Sequence, residues 1–419
     1  MPGPATYALH VAGGLVRELW PDQALIEEMI KAEPILGICK KDTNWSYAII
    51  HHPLGWGGTQ GIGRNYADAK RLKSAAKEQE FQVTTREMYA TLSLEGKLLR
   101  ASEYGKKSAL LVDPLKREGE ACLRNMRYRF STAIHGNGVG VVGRIATTST
   151  VNTATVVLSD PNDLKNFQQE TAIQLEETGL PAGALRDGGA EARILSVGTW
   201  DNPTLTLSVA WNVAFPSVVA GDRIYYTGNY DNDYIYGLDA FLPNHTGTPG
   251  TFLTCNRNLN PGWLAGYVMN GGNMSGQQRI WAAARRSVDA GGEPDVYFMS
   301  TRNFEKLLFE FENKLVMQKV PAADVGKFKM GVSYQGVEIA GPAGPIMVMA
   351  SAWMPDNVER CGEKDTLKMG SIGPLVHWDN GNGPDALRTE DGTDSRELRA
   401  VSDPGFLVEK PGAWVRVAA

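Results

Sequence analysis

The sequence has no run of 18 apolar residues, so it offers no membrane-crossing helix. Its first residues lack a basic stretch followed by an apolar one, so no secretion leader is expected. Without that leader, the glycosylation-like triplets at Asn44, Asn244 and Asn273 read as coincidences. Cysteine is scarce: Cys39, Cys122, Cys255 and Cys361 stand far apart with no CxxC pair. That spacing argues against a disulfide framework and a zinc site, and for small hydrophobes in a reducing compartment. An excess of positive charge is also lacking. With 42 Lys and Arg against 47 Asp and Glu, the formal net charge is -5, whereas a protein that grips phosphates is usually basic.

The motifs of common chemistries are missing too. No Walker A, HExxH or GxSxG sequence occurs. Gly138-Val139-Gly140-Val141-Val142-Gly143 spells GxGxxG, but a helical pattern precedes it and β-type sequence follows. A dinucleotide site needs the reverse, so the glycines read as a flexible domain junction. His51-His52 would point to opposite faces of a strand and would not share a metal. Asp231-Asn232-Asp233 and Asp379-Asn380-Gly381-Asn382 lack EF-hand spacing and read as turns. No nucleophile, base and oxyanion donor assemble, so no catalytic residue, cofactor or metal is expected, and the chain is not expected to be an enzyme.

What the sequence does hold is 42% hydrophobic residues, 21% charged residues, 46 glycines and 10 tryptophans in 419 residues, enough for two to three cores with many turns. Residues 1–44 read as an extended arm with a short helix that Pro34 stops. WSYAIIHH (45–52) reads as a strand, the Gly-rich 54–58 as a turn region, and FQVTTREMYATLSLE (81–95) as a second strand. Together 45–95 reads as a long two-stranded excursion, too thin to stand alone. Asp113 as N-cap and Pro114 at the first helical position open the clearest helix, which Gly136 closes. Leu111, Leu115, Cys122, Met126, Phe130 and Ile134 give it one apolar face. Arg117, Glu120, Arg124 and Arg127 give it a solvated one.

From 138 to 233, short Val/Thr/Leu runs alternate between turn signals, the signature of an inserted small antiparallel β-barrel or sandwich. Within it, NDLKNFQQETAIQLEETG reads as a loop with a helical turn. After Gly237 the pattern is mixed: a helix over 276–292, a buried strand over 295–299, and a helix capped by Ser300 or Thr301. Further strands follow at 336–339 and 346–349. The end, RELRAVSDPGFLVEKPGAWVRVAA, alternates as a strand, breaks at Pro404-Gly405 and resumes.

This order of arm, hairpin excursion, long capped helix and mixed α+β remainder resembles the major capsid protein of tailed bacteriophages, the Hong Kong 97 type fold. The resemblance makes 45–95 the E-loop and 96–137 the peripheral domain with its spine helix. It makes 138–233 an insertion, 234–370 the axial domain, and 371–419 a return to the peripheral domain. It implies a structural protein that self-associates into hexamers and pentamers of an icosahedral shell around double-stranded DNA, without reading its sequence and without a membrane. It also implies a virion location, assembly in the host bacterial cytoplasm, a separate scaffolding protein and a portal at one vertex, and it leaves room for a decoration protein. Some members cross-link a lysine to an asparagine; no partner is assignable here, and non-covalent locking is expected. At the excursion's tip, Trp56, Lys70, Arg71, Lys73 and Lys77 are the expected intersubunit contacts, with the acidic 390–394 stretch offering opposite charge. An encapsulin-like compartment and a surface- or carbohydrate-binding β module on an unrelated protein remain as alternatives.

Overall fold

A computed structural model describes residues 33–42, 49–58, 61–94, 109–146, 155–177, 184–208, 218–230, 234–312, 336–379, 387–389 and 394–418. Most of the expected arm therefore lies outside the described residues, as do 390–393. The short helix expected before Pro34 also lies outside the described residues; a helix begins at Pro34 itself, α1 being Pro34–Ile38, fully buried, with the proline at its start. There the missing N–H costs nothing, because the first amides of a helix have no internal partner. β1 (Lys40–Asp42) follows.

β2 (Ile49–Gly57) and β3 (Lys77–Thr84) form a two-stranded antiparallel ribbon, Ile49 opposite Thr84, with α2 (Tyr66–Arg71) at its far end. The sequence expectation of one strand over 81–95 is corrected here. The chain turns at residues 85–87, where the Arg86 amide bonds the Pro404 carbonyl at 3.1 Å. β4 (Met88–Leu94) then joins a different sheet. The ribbon thus spans 49–84.

The long helix α3 is Ala109–His135, roughly 40 Å of rise. It starts one turn earlier than expected. Asp113 and Pro114 lie inside it, since proline's fixed φ is itself helical and only one backbone bond is forgone. Leu123, Met126, Phe130, Ala133 and Ile134 form the buried face, while Cys122 is only half-buried.

The next strands are β5 (Val141–Arg144), β6 (Thr155–Val157), β7 (Ala172–Glu176), β8 (Ala192–Thr199), β9 (Asn202–Ser208) and β10 (Arg223–Tyr226), paired in the order β5-β10-β7-β8-β9-β6. The two outer strands meet as well. Ala146 N bonds Val157 O and Ser159 N bonds Arg144 O, each at 2.8 Å, so the six strands close into a small barrel. Its interior is a separate apolar cluster including Ile145, Ile173, Leu175, Ile194, Leu205 and Ile224. AIQLE, read from sequence as part of a helical loop, is β7. The junction is tight rather than flexible: Asn137 pairs with Tyr236 as the chain enters and leaves. Gly138 and Gly140 hold φ of 84° and 86°, and a Cβ on Gly140 would lie 2.2 Å from the Asn229 carbonyl oxygen. Only glycine fits this crossing.

Beyond it come α4 (Leu238–Phe241), β11 (Thr251–Phe252), β12 (Cys255–Asn256), α5 (Pro261–Leu264) and β13 (Tyr267–Asn270). Then follow α6 (Gly276–Asp289), β14 (Val296–Ser300), α7 (Thr301–Glu312), β15 (Gly336–Ala340), β16 (Pro345–Ser351) and β17 (Val358–Gly362). The chain closes with β18 (Leu367–Ser371), β19 (His377–Trp378), β20 (Leu387–Thr389), β21 (Arg396–Ser402), β22 (Pro404–Val408) and β23 (Val415–Ala418). A mixed sheet runs β13-β23-β17-β14-β16-β15. On β14, Tyr297 and Met299 face α6 and α7, while Val296 and Phe298 face the main core that also takes the buried stripe of α3. A strand covered on both faces reads as an unbroken apolar run, which is what residues 296–299 show.

Two expectations about the end of the chain change. β21 pairs with β4 and β22 with β18, beside α3, but β23 does not stay there. It crosses into the middle of the mixed sheet, parallel to β13 and antiparallel to β17. β18, expected in part within the axial region, pairs with β1 and β22. Trp414 drives the crossing: it is fully buried, stacks on Phe298 at 6.2 Å between centroids, and donates to Thr366 Oγ1 at 2.8 Å.

Candidate assembly surface

The β2–β3 ribbon divides into a neck that is packed on its own chain and a tip that is not. At the neck, Leu54, Phe81 and Val83 are buried. Phe81 meets Phe241 and Phe252 edge-on at 5.5 and 5.9 Å. Polar bonds fix the same region: Trp263 Nε1 donates to Gly55 O at 2.8 Å, Gln82 N to Leu253 O at 3.1 Å, and His52 Nε2 lies 3.1 Å from Glu409 O. His51 points the other way, 3.4 Å from Glu80.

Beyond Gly57 the packing ends. The Asn65 side chain accepts from Asp68 N at 2.9 Å and caps α2, yet no residue of that helix is buried. Ile62 is 83% exposed and Tyr66 82% exposed. Two large apolar side chains held on an ordered turn, with water on every side, are what a docking element carries before it docks. Lys70, Arg71 and Lys73 flank them; among the described residues Arg71 meets only Asp68, at 3.8 Å, and such an exposed pair is worth little.

Trp56 and Lys77 are placed differently from the expectation. They sit at the neck, where the Lys77 ammonium lies over the Trp56 ring at 5.0 Å and Lys77 is opposite Gly57 in the ladder. The tip therefore brings together Lys70, Arg71 and Lys73 with Ile62, Tyr66 and Leu72, three apolar residues the sequence reading missed. Their spacing has no clean period, so only their exposure identifies them. The acidic partner stretch at 390–393 lies outside the described residues.

The foot of the long helix is fixed to the mixed sheet by a buried polar junction. Arg360 Nη1 faces His135 Nδ1 at 3.2 Å, and Arg360 Nη2 reaches Asp239 at 2.5 Å. Because an arginine can only donate, Nδ1 accepts and the imidazole proton sits on Nε2. That nitrogen lies 3.2 Å from Glu33 Oε1 and 3.1 Å from Ser351 Oγ. Burial raises the Asp239 carboxyl, but Arg360 and Arg416 outweigh it and hold the group below its ordinary range. A second cluster ties α6 to the sheet: Glu359 accepts both Arg279 nitrogens at 2.9 Å, Tyr297 Oη at 2.6 Å and Asn303 Nδ2 at 3.0 Å. Every one of these groups is engaged in holding elements together. Among the described residues no group of three or more His, Cys, Asp or Glu is placed to hold a metal, and the four cysteines are free. Burial raises the Cys122 thiol to about 11, far from a reactive thiolate.

No family model matches the chain, and no curated protein matches it. Solved structures do resemble it. A chain of the cyanophage A-1(L) capsid asymmetric unit is 12% identical, with 92% of both chains covered and a TM-score of 0.49. A chain from Mycobacterium phage Ogopogo is 9% identical over 92% of both chains, with a TM-score of 0.42. An encapsulin complex from Synechococcus elongatus is 6% identical, covering 91% of this chain and 84% of that one, with a TM-score of 0.43.

Proposed function

We propose that this chain is the repeating subunit of a Hong Kong 97-type icosahedral shell, the major capsid protein of a tailed phage, which associates into hexamers and pentamers around double-stranded DNA. The observation that carries the reading is the ribbon, rigid at its neck and bare at its tip. A subunit that functioned alone would gain nothing from an ordered, capped turn presenting Ile62 and Tyr66 to water. In a shell the tip lies on a neighbour, where burial of those side chains contributes about 1.5–3 kcal/mol each. The same contact recurs at every subunit.

The rest of the molecule suits a wall. The ribbon acts as the E-loop, α3 as the spine, the mixed sheet with α6 and α7 as the axial domain, and the barrel as an inserted module. The net charge of -5 keeps the wall from binding packaged DNA tightly, so confinement rather than affinity retains the genome. Assembly in the host cytoplasm would draw on a separate scaffolding protein and a portal, and the barrel gives a decoration protein a surface to bind. The role is structural, with no reaction to catalyse.

Negative-stain microscopy of the full chain, expressed with and without its scaffolding protein, tests the proposal. Closed particles of uniform size are expected, with nucleic acid inside those taken from infected cells. A monodisperse monomer under both conditions overturns it.

A further inference from the structure

β13 is an open edge. It pairs with β23 on one side and, among the described residues, with no strand on the other. The parallel ladder fixes which of its backbone groups are left. Tyr267 N donates to Trp414 O at 3.1 Å and Gly271 N to Ala418 O at 2.7 Å, so alternate residues spend their groups on β23. The amides and carbonyls of Val268 and Asn270 therefore point out of the sheet. Sheet edges are normally guarded by a lysine, a proline or a bulge, and Tyr-Val-Met-Asn has none of these.

A groove runs along each face of this edge. One, of about 660 Å³, passes His245; the other, of about 450 Å³, is bounded by Met274 and by Arg285 and Arg286 of α6. An added strand would place alternate side chains in the two grooves, the geometry by which extended peptides are recognised at sheet edges. Both arginines are exposed, and among the described residues neither meets a carboxylate.

We propose that the β13 edge takes an extended, carboxylate-bearing peptide segment of a separate protein, which adds as a seventh strand with its acidic side chains on Arg285 and Arg286. A second copy of this chain fits less well. Edge-to-edge pairing across a two-fold axis would set both copies of α6 on one face and bring four arginines into one groove. This binding site goes beyond the shell reading and stands or falls separately from it.

Fluorescence anisotropy on the full chain tests it, using a labelled acetyl-Val-Glu-Val-Glu-Val-Thr amide and its counterpart with lysine for glutamate. The glutamate peptide should bind and the lysine peptide should not. Val268→Pro removes only an outward amide and should weaken binding about tenfold or more. Arg285→Glu with Arg286→Glu, on the exposed face, should leave the thermal melt unchanged and reverse the preference toward the lysine peptide. No binding of the glutamate peptide by the unmodified protein, or equal binding by both variants, overturns the proposal. So does concentration-dependent exchange protection of the Val268 and Asn270 amides without peptide, which would mean that a second copy occupies the edge.

Discussion

Trp263 Nε1 donates to the carbonyl of Gly55 at 2.8 Å, joining two residues 208 apart in sequence and fixing the ribbon where it leaves the body. Below that bond the ribbon belongs to the core; beyond Gly57, among the described residues, its tip has no residue buried against the body. Trp263→Phe should cost about 1 kcal/mol, the net worth of a hydrogen bond. It should also speed tryptic cleavage within 70–73, since the tip would swing more freely. A digestion time course beside a thermal melt separates the two effects. Unchanged cleavage would mean that the bond does not anchor the ribbon.

The crossing of the last strand depends on one glycine. A Cβ on Gly362 would lie 2.1 Å from the Trp414 ring, which is buried on all sides and cannot retreat. Gly362→Ala is expected to destabilise by about 3 kcal/mol, an overpacking cost at the upper end of its range, read by urea denaturation. A loss below half that would show that the sheet relaxes around Trp414.

Glu359 is fully buried and depends on Arg279 for charge compensation. Arg279→Met should cost about 3–5 kcal/mol, because it leaves an unpaired buried carboxylate. Adding Glu359→Gln should restore part of that loss, since no naked charge then remains. A double-mutant cycle on urea midpoints measures the recovery; additive losses would contradict it.

Asp163 carries a pH signature. Burial first, and then the neighbouring Asp160, push its carboxyl up to about 7 against the opposing pull of Lys165 and Arg144. In the unfolded chain it titrates near 4. Between about pH 4 and 7 the folded state therefore keeps a proton that the unfolded state has lost, and stability falls as pH rises through that window. The effect is at most about 4 kcal/mol. Asp163→Asn should raise the melting temperature at pH 7 and flatten its pH dependence. A variant melting profile parallel to that of the parent would refute the shift.

Several elements were plain in the sequence for simple reasons. α6 shows helical spacing through Ile280, Ala283 and Ala284 and ends at a glycine. β14 is an apolar run because both its faces are covered. The expected order of excursion, long helix, inserted β module and mixed sheet is the order found. Other features depend on contacts that no local pattern encodes. Residues 81–95 are β-prone throughout, and the polar Thr84-Thr85-Arg86-Glu87 in their middle does not by itself mark a change of sheet, so the hand-over from β3 to β4 at 85–87 appears only once Arg86 is seen to meet Pro404. Arg360 and Glu359 stand out in no local pattern, yet both are fully buried, each compensated by a residue far away in sequence. The tip was visible as a basic, Gly-rich stretch. Its apolar contribution was not, because Ile62 and Tyr66 look like any core residues until the fold shows that they have no core to enter.

The central claim, that the ribbon's tip joins subunits rather than stabilising its own, is tested most directly by sedimentation velocity on a variant with residues 58–76 replaced by a short Gly-Ser turn. The neck contacts of Leu54, Phe81 and Trp263 are untouched, so the thermal melt should match that of the parent. Under assembly conditions the variant should sediment as free subunits or capsomers, with no closed particles. Closed particles of normal size from the shortened ribbon would contradict the account.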